Sequence, residues 1–430
     1  MGRLFFLLVL FLFAACTTEP EFTTDVEDSS DISDDVPLAD ISSGDTVADD
    51  VGEEAGDELR PVIIDLEPYL PASLDPQANV RAFVTSHERE LLSGMGATGR
   101  VGDIVMENDG ARFLIEGNER VMSPCPFGGN IIGAQHRSEG QDVLGEICPL
   151  LNAQQTFVPL RQEILEDGTQ GYAIVAVTGK PAMLDFFDLR AMLGALIGTT
   201  LVDRMEIFTD EPLPLTVTIY YILHPDELAV QVVTALRNDS AERLDTVFSH
   251  ILITGGDGMF FNPLSRTKGF GHTSDVVASI QGELLPFLGY RTEDASFAYV
   301  PAPAEHLSAP LPIAGSYSTI AGVTASMLGR REFLQTLLVD REQLSRMPGI
   351  LHIEPDEIAT VEHRLFVGDG SMATIVDGVY ESLGVETALI EGQAVDGEGA
   401  SLRRVYLSAV DDSDRTMNQV LSDDEGRFRL

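Results

Sequence analysis

Alternating apolar and polar residues run through most of the chain after residue 61 and predict β-strands. Runs rich in β-branched residues come in pairs, and turn residues separate the members of each pair. In the first pair the separating segment is Glu107-Asn108-Asp109-Gly110, where Asp-Gly is expected to supply the positive φ of a tight hairpin. The sequence therefore predicts three hairpins, 102–106 with 111–115, 161–165 with 172–177, and 215–222 with 228–236.

Two segments favour helix instead, one at 188–197 and one within 325–344. The first is too short and too closely flanked by charge to span a bilayer, so we expect it to pack against the sheet. The pattern as a whole predicts an all-β fold. We expect a large antiparallel β-sandwich over residues 61–384, with minor helices.

The N-terminus has the pattern of a bacterial signal peptide. Arg3 precedes an apolar run at 4–13 that is too short to cross a bilayer as a helix. Two alanines and Cys16 follow, which resembles the lipoprotein cleavage box, where the cysteine thiol is diacylglycerylated. We therefore predict a signal peptide at 1–15 and lipidation of Cys16, and Thr17 favours the outer membrane. The alternative is an ordinary secretory signal with an incidental cysteine.

Acidic residues dominate the composition. The chain has 69 acidic and 27 basic residues, a formal net charge of −42 at pH 7. Between residues 17 and 59 there are 16 acids and no Lys or Arg, so we expect 16–60 to form a disordered acidic tether. Such a charge repels nucleic acid and anionic lipid. We therefore expect no nucleic-acid partner, and contact with the membrane only through the lipid anchor.

If Cys16 is lipidated, Cys125 and Cys148 remain. An even pair in an oxidising compartment indicates a disulfide, which would stabilise the fold by roughly 3 kcal/mol. The alternative is a pair of metal-binding thiolates, for which His136 is the available further ligand.

The last part of the chain resembles the carboxypeptidase-regulatory-like, or transthyretin-like, type of small β-sandwich. The stretches IEGQAVDGEGASLRRVYLSAV and DDEGRFRL carry the resemblance, and the positions that match are Gly392, Val395, Asp396, Gly399, Glu425, Gly426, Arg427, Phe428 and Leu430. The closing half of that domain does not follow. We expect 385–430 to be a truncated domain of this kind.

The stretches GRVGDIVMENDGARFLIEG, CPFGGNIIGAQH and VEHRLFVGDGSMATIVDGVYESLG, taken together, resemble the N-terminal modules of secreted lipoproteins of δ-proteobacteria. In that family a β-sandwich and a regulatory-like domain precede a PHP-type metallohydrolase domain. The ligands of the PHP domain begin with a His-x-His pair, and this sequence has no such pair. No catalytic residue is therefore carried over from the family.

Catalytic motifs are sparse in the sequence. The eight histidines show no metal-binding spacing, and neither a nucleophile elbow nor a P-loop occurs, so we expect no metal and no cofactor. The segment LRNDSAERLDTVFSH, which ends at His250, resembles the strand before the acid histidine of galactose-mutarotase-like sandwiches. That resemblance implies His250 with Glu283 as the candidate acid and base. The alternative is that His250 is a buried polar residue at the end of a strand.

A binding role has a separate candidate. The Gly-rich loop at 255–272 places Arg266, Lys268 and His272 in an otherwise acidic chain, and long loops on sandwiches often bind ligands. An acidic glycan would suit these cations, but balancing surface charge is the alternative. We expect an envelope-anchored, non-catalytic outer-membrane lipoprotein that presents a surface for binding or assembly, with glycans and envelope proteins as candidate partners. The enzyme alternatives are the N-terminal part of a PHP-type metallohydrolase and a mutarotase-like sugar enzyme.

Overall fold

A computed structural model describes most of the chain after residue 58. The described residues are 59–71, 73–118, 125–138, 140–152, 154–184, 209–255, 258–261, 263, 270–271, 287–302, 311–312, 318–322 and 350–430. The stretch Leu59–Leu430 forms one compact unit. The signal peptide, the tether, Cys16 and both predicted helices lie outside the described residues.

The described residues form 23 strands, one α-helix, and 3-10 turns at Glu67–Tyr69 and Glu88–Glu90. The strands are β1 Arg81–Val84, β2 Ile104–Glu107, β3 Ala111–Ile115, β4 Ile131–His136, β5 Leu144–Leu151, β6 Gln155–Asp167, β7 Ala173–Met183, β8 Leu215–Leu223, β9 Ala229–Asn238, β10 Leu244–Thr246, β11 Phe248–Thr254, β12 Met259–Phe261, β13 Phe270–Gly271, β14 Leu288–Arg291, β15 Ser296–Ala302, β16 Leu311–Pro312, β17 Ser318–Gly322, β18 Leu351–Ile353, β19 Ile358–Gly368, β20 Glu391–Gln393, β21 Tyr406–Val410, β22 Thr416–Leu421 and β23 Arg427–Arg429. The helix, α1, is Met372–Ser382.

Within the described residues, a sheet of 17 strands is antiparallel throughout and has two layers. One layer runs β6-β7-β8-β9-β19-β15-β14-β12-β13, and the other contains β1-β2-β3-β4 and β5-β11-β17-β16. The main core cluster draws on both layers, with Met106 and Phe113 from one and Val175 and Ile219 from the other. The predicted all-β sandwich is confirmed.

All three predicted hairpins form, as β2–β3, β6–β7 and β8–β9. The expected turn chemistry is wrong for the first one, because Gly110 is not among the residues with positive φ. Instead, the side-chain oxygen of Asn108 accepts the backbone N–H groups of Gly110 and Ala111, at 2.9 and 2.8 Å. This side chain therefore closes the turn in place of a left-handed glycine. In the second hairpin Gly168 does adopt a φ of 112°.

Helix α1 was not predicted from the sequence, where a strand-like run precedes it. It begins after Ser371, and its buried residues follow helical spacing, namely Met372, Ile375, Val376, Val379 and Tyr380. Gly384 ends it at a φ of 66°, the usual role of a glycine just beyond a helix C-terminus. No helix of the described residues is long and apolar enough to cross a membrane.

The C-terminal residues form two small sheets, β20–β23 and β21–β22. Gly392 faces the ring of Phe428, and a Cβ at this glycine would lie 2.7 Å from the ring. Helix α1 connects this region to the sandwich, because the hydroxyl of Tyr380 donates to the carbonyl of Met417 at 2.8 Å. The domain boundary and the regulatory-like assignment stay predictions.

A disulfide joins Cys125 and Cys148, with their Cα atoms 6.1 Å apart. Both residues are fully buried. Cys148 lies in β5, and Cys125 lies ahead of β4, so the bond holds the entry to β4 against the neighbouring strand. Because the sulfurs are bonded to each other, they are not metal-binding thiolates.

Replacing both cysteines with alanine is expected to lower the free energy of unfolding by about 3 kcal/mol, because the open chain gains conformational freedom when unfolded. Urea denaturation with and without a thiol reductant measures this difference. The reductant should destabilise the wild-type protein and leave the double variant unchanged. Equal midpoints for the oxidised and reduced wild type would contradict the prediction.

Candidate anion-binding site

A row of charged and polar side chains crosses four neighbouring strands on one face of the sheet. The register pairs Arg81 of β1 with Glu107 of β2, Glu107 with Arg112 of β3, and Arg112 with Gln135 of β4. Directly paired residues of an antiparallel sheet project from the same face. The sequence places these residues far apart, and only the strand register makes them neighbours.

The opposite face of the same strands is apolar. Ala82, Met106, Phe113 and Ala134 follow one another across the four strands, one position away from the charged row. All four belong to the main core cluster. Because side chains alternate along a strand, burial of this apolar row places the charged row on the outer face.

A cleft with a volume of about 440 Å³ lies over the charged row. The 3-10 turn Glu88–Glu90 borders the cleft, and Leu91 and Leu92 after it pack on the neighbouring apolar positions Val105 and Leu114. Four guanidiniums and two carboxylates line the cleft. The lining residues are Arg81, Phe83, Arg89, Glu90, Glu107, Arg112, Gln135, His136 and Arg137.

Glu107 is the buried centre of the row, with a side chain that is 6% exposed. Its Oε1 accepts from Nε of Arg81 at 2.7 Å, and its Oε2 accepts from Nε of Arg112 at 2.8 Å. Arg137 lies 3.5 Å from the same carboxylate. Burial acts to raise the pKa of Glu107, but the hydrogen bond from Arg81 and the charge of Arg112 outweigh it, so the pKa lies below its ordinary value. The carboxylate is therefore ionised and holds three cations in place.

The second carboxylate of the lining has a local role. Oε2 of Glu90 accepts the backbone N–H groups of Ser86 and His87, at 2.7 and 3.1 Å, and so caps its own 3-10 turn. Arg89 in the same turn is exposed and makes no ion pair within the described residues. The cleft therefore keeps an excess of positive charge in a chain of net charge −42.

His136 ends β4, and because it pairs with the core residue Ala111, its ring projects from the face opposite Gln135. Burial lowers its pKa, although the charge of Asp369 opposes this shift. Its Nδ1 lies 2.7 Å from the hydroxyl of Ser138 and 3.3 Å from the backbone N of Ser138. Because that backbone N–H can only donate, Nδ1 is the acceptor, and the proton of the neutral ring belongs on Nε2.

The candidate residues from the sequence fall in other places. Glu283, Arg266, Lys268 and His272 lie outside the described residues. His250 lies in β11 and is buried, with 3% of its surface exposed. The catalytic assignment of His250 and the ligand-binding assignment of the loop stay predictions.

His250 belongs to a buried aromatic cluster. Its Nδ1 is 2.9 Å from the hydroxyl of Tyr299, and its ring centroid is 4.3 Å from that of His363. Burial lowers the pKa of both histidines, that of His363 to about 3. Neither ring nitrogen of His363 has a hydrogen-bond partner within the described part of the chain. Both rings are therefore neutral in the folded protein.

A second cleft, of about 310 Å³, lies where the C-terminal strands meet the sandwich. The guanidinium of Arg291 lies over the ring of Tyr406, 4.0 Å from its centroid. Arg404 pairs with Glu293 at 2.9 Å. These contacts connect the two regions, and the cations already have partners. In the described residues no three His, Cys, Asp or Glu side chains are grouped so as to hold a metal ion.

No protein-family model and no curated protein matches the chain. Among solved structures, it is similar to the Slr1438 protein from Synechocystis sp. PCC 6803, with 12% identity over 65% of this chain and 99% of that one and a TM-score of 0.34. A galactose mutarotase-like protein from Clostridium acetobutylicum is 10% identical over 62% of this chain and 95% of that one, with a TM-score of 0.33. A putative aldose 1-epimerase from Escherichia coli K12 is 10% identical over 62% and 98%, with a TM-score of 0.32. Likeness at this level assigns no activity, so the function rests on the site itself.

Sequence reasoning missed the arginine cleft. A signal was present in this acidic chain, because two arginines stand directly before apolar runs. Arg81 precedes Ala-Phe-Val, and Arg112 precedes Phe-Leu-Ile. Their proximity depends on pairing through Glu107, which the sequence does not specify.

Removing the ionisable ring of His363 is expected to reduce the acid sensitivity of the fold. The folded pKa of about 3 lies below the ordinary 6.5, so the unfolded chain binds a proton first as the pH falls. The contribution of His363 to the free energy of unfolding is therefore fully present above pH 6.5 and is lost as the pH falls towards 3. His363→Leu should lower the slope of unfolding free energy against pH by about 1.4 kcal/mol per unit in this window.

Urea denaturation at a series of pH values measures that slope. His363→Gln is the matched control, because it keeps a polar side chain but cannot take up the proton. Both variants should show the same reduced slope. An unchanged slope in both would contradict the assignment of His363 as a buried neutral histidine.

Proposed function

We propose that this chain is a non-catalytic binding protein, and that the arginine cleft binds an anionic ligand. The observation that carries the proposal is the charge of the cleft, where four guanidiniums face two carboxylates. The carboxylate of Glu90 already accepts a hydrogen bond from the backbone of its own turn. Guanidiniums are the preferred protein partners of carboxylate and phosphate groups, because their planar N–H pairs match two oxygens at once.

Three of the four cations of the cleft, those of Arg81, Arg112 and Arg137, are held by Glu107 before a ligand arrives. Arg112 is fixed by Glu107 and by the carbonyl groups of Glu90 and Leu91, which accept from its Nη atoms. Arg137 also donates to the carbonyl of Asn108 at 3.2 Å. A fixed side chain loses little rotamer entropy on binding, so these contacts favour affinity. Arg89, which has no carboxylate partner in the described structure, is the cation best placed to meet the ligand charge.

The net charge of the chain affects where on its surface an anion can bind. An acidic surface repels anions at long range, so anionic ligands are expected to concentrate only at the basic cleft. Citrate is a suitable probe because it is small and carries several carboxylates.

Replacing Arg89 with alanine is expected to weaken citrate binding tenfold or more, because one charged hydrogen-bonding group is worth roughly 1.5–3 kcal/mol. Isothermal titration calorimetry at low ionic strength measures the dissociation constant. Arg403→Ala is the matched control, since it removes another exposed arginine, in the C-terminal region, and changes the net charge by the same amount.

The control should bind citrate as the wild-type protein does, and added salt should weaken binding in both. Absence of citrate binding by the wild-type protein, or equal loss in the two variants, would remove the cleft from consideration.

The location of the protein is part of the proposal. The signal-peptide pattern with Cys16 supports a lipid-anchored protein of the outer membrane, and a buried disulfide suits an oxidising compartment. The resemblance to front modules of δ-proteobacterial lipoproteins is consistent with this location. In this arrangement the acidic segment 16–60 would hold the sandwich away from the membrane surface.

Cys16→Ala is expected to abolish incorporation of labelled palmitate and to release the protein from the membrane fraction. Thr17→Ala is the neighbouring control and should retain both properties. Labelling and sedimentation of the expressed full chain in a Gram-negative host test the prediction. A Cys16→Ala protein that stays labelled and membrane-bound would contradict lipidation at this position.

A further inference from the structure

Strand β21 has a free edge in the described part of the chain, where β22 is its only hydrogen-bonded neighbour. Two backbone bonds near its ends run towards β22. The N–H of Ser422 donates to the carbonyl of Val405, and the N–H of Asp411 donates to the carbonyl of Arg415, both at 3.0 Å. Because the bonding direction alternates along an antiparallel strand, the free edge receives the N–H and C=O groups of the residues between these odd-numbered positions, namely Tyr406, Ser408 and Val410.

This edge lacks the features that usually prevent pairing with another strand. Protected edges carry charged residues, proline or a bulge, whereas β21 reads Tyr-Leu-Ser-Ala-Val. The irregularity in its pairing with β22 skips Met417, which belongs to β22, so β21 itself is regular. Tyr406 and Val410 are 44% and 51% exposed. The edge is therefore uncharged, apolar and accessible to a strand that adds to it.

The charges at its two ends indicate which strand fits. Arg404 precedes β21 and Asp412 follows it, and both are exposed. When two copies of β21 lie antiparallel with Ser408 opposite Ser408, Tyr406 faces Val410 of the second copy. The same register brings the Arg404 end of each copy to the Asp412 end of the other. A second copy therefore supplies the opposite charge at both ends, together with two aromatic–aliphatic pairs.

Arg404 is available for this contact. Within one chain it pairs with Glu293 at 2.9 Å, but the two side chains are 51% and 74% exposed. Exposed pairs of this kind contribute little to stability, so the guanidinium can exchange one carboxylate for another at little cost.

We infer that β21 pairs edge to edge and antiparallel with β21 of a second copy of this chain, with the two Ser408 residues opposite each other. The contact is isologous and joins two β21–β22 hairpins into one four-stranded sheet. It does not depend on anion binding at the arginine cleft. One pair of five-residue strands is a small interface, so the dimer is expected to be weak and reversible.

Sedimentation velocity of the full chain tests the inference, with Cys16→Ala present to remove a lipid anchor as a source of association. At physiological ionic strength charges more than about 8 Å apart are screened, so the net charge of −42 does not prevent close contact. Between about 1 and about 300 µM, the range of weak interfaces, the protein should shift from monomer to dimer.

Ser408→Pro removes an N–H from the free edge and leaves the bonds to β22 intact. It should raise the dissociation constant of the dimer about tenfold or more, because symmetry removes two hydrogen bonds at once. Ser408→Ala is the matched control. Both variants lose the hydrogen bond that the Ser408 hydroxyl accepts from Gln419 at 3.0 Å, but alanine keeps the N–H and should dimerise as the parent does.

A charge exchange tests the register without a proline. Arg404→Glu and Asp412→Arg should each weaken the dimer about tenfold, because each places like charges together at both ends. The double variant restores unlike charges and should recover the dimer. A monomer at every concentration overturns the inference. A dimer that neither Ser408→Pro nor the single charge variants weaken uses another surface, and this result also overturns it. If Ser408→Pro is unfolded, the charge exchange decides.

Discussion

The cross-strand register of β1 to β4 is the constraint on which both the core and the arginine cleft depend. It brings Arg81, Glu107 and Arg112 together on the outer face and Met106 and Phe113 together on the inner face. A slip of one residue would exchange the two sets and place guanidiniums in an apolar interior. Burying an ion without a partner costs far more than any turn or hairpin can supply, so the register is strongly specified.

The turn between β2 and β3 cooperates with that register. Asn108 holds the turn through its side-chain oxygen, and its amide nitrogen donates to the carbonyl groups of His224 and Glu227, both at 2.7 Å. The same side chain therefore closes a local hairpin and connects it to the loop between β8 and β9 in the other layer. Local turn chemistry and long-range packing favour the same pairing, as is expected of a sequence that specifies one structure.

Glu107 shows how a buried charge can be compensated by its neighbours. Removing a carboxylate from water is costly, and several charge-assisted hydrogen bonds are needed to offset that cost. Here the compensation comes from Arg81, Arg112 and Arg137, which outnumber the single carboxylate. The arrangement stabilises the strands and leaves uncompensated positive charge at the surface. The His250–Tyr299–His363 cluster solves the opposite problem, because its rings avoid the cost of a buried charge by remaining neutral.

Period-two patterning determined the all-β class and the three hairpins, because alternation is a local property that burial of one face enforces. The cysteine count separately identified the disulfide pair, since two cysteines remained after Cys16 was set aside. Helix α1 was missed although Met372, Ile375 and Val379 carry the helical spacing, because the flanking β-branched run outweighed it. The arginine cleft was decided by tertiary structure alone. Its residues come from four strands and a 3-10 turn, and their proximity depends on pairing partners that no single segment of the sequence contains.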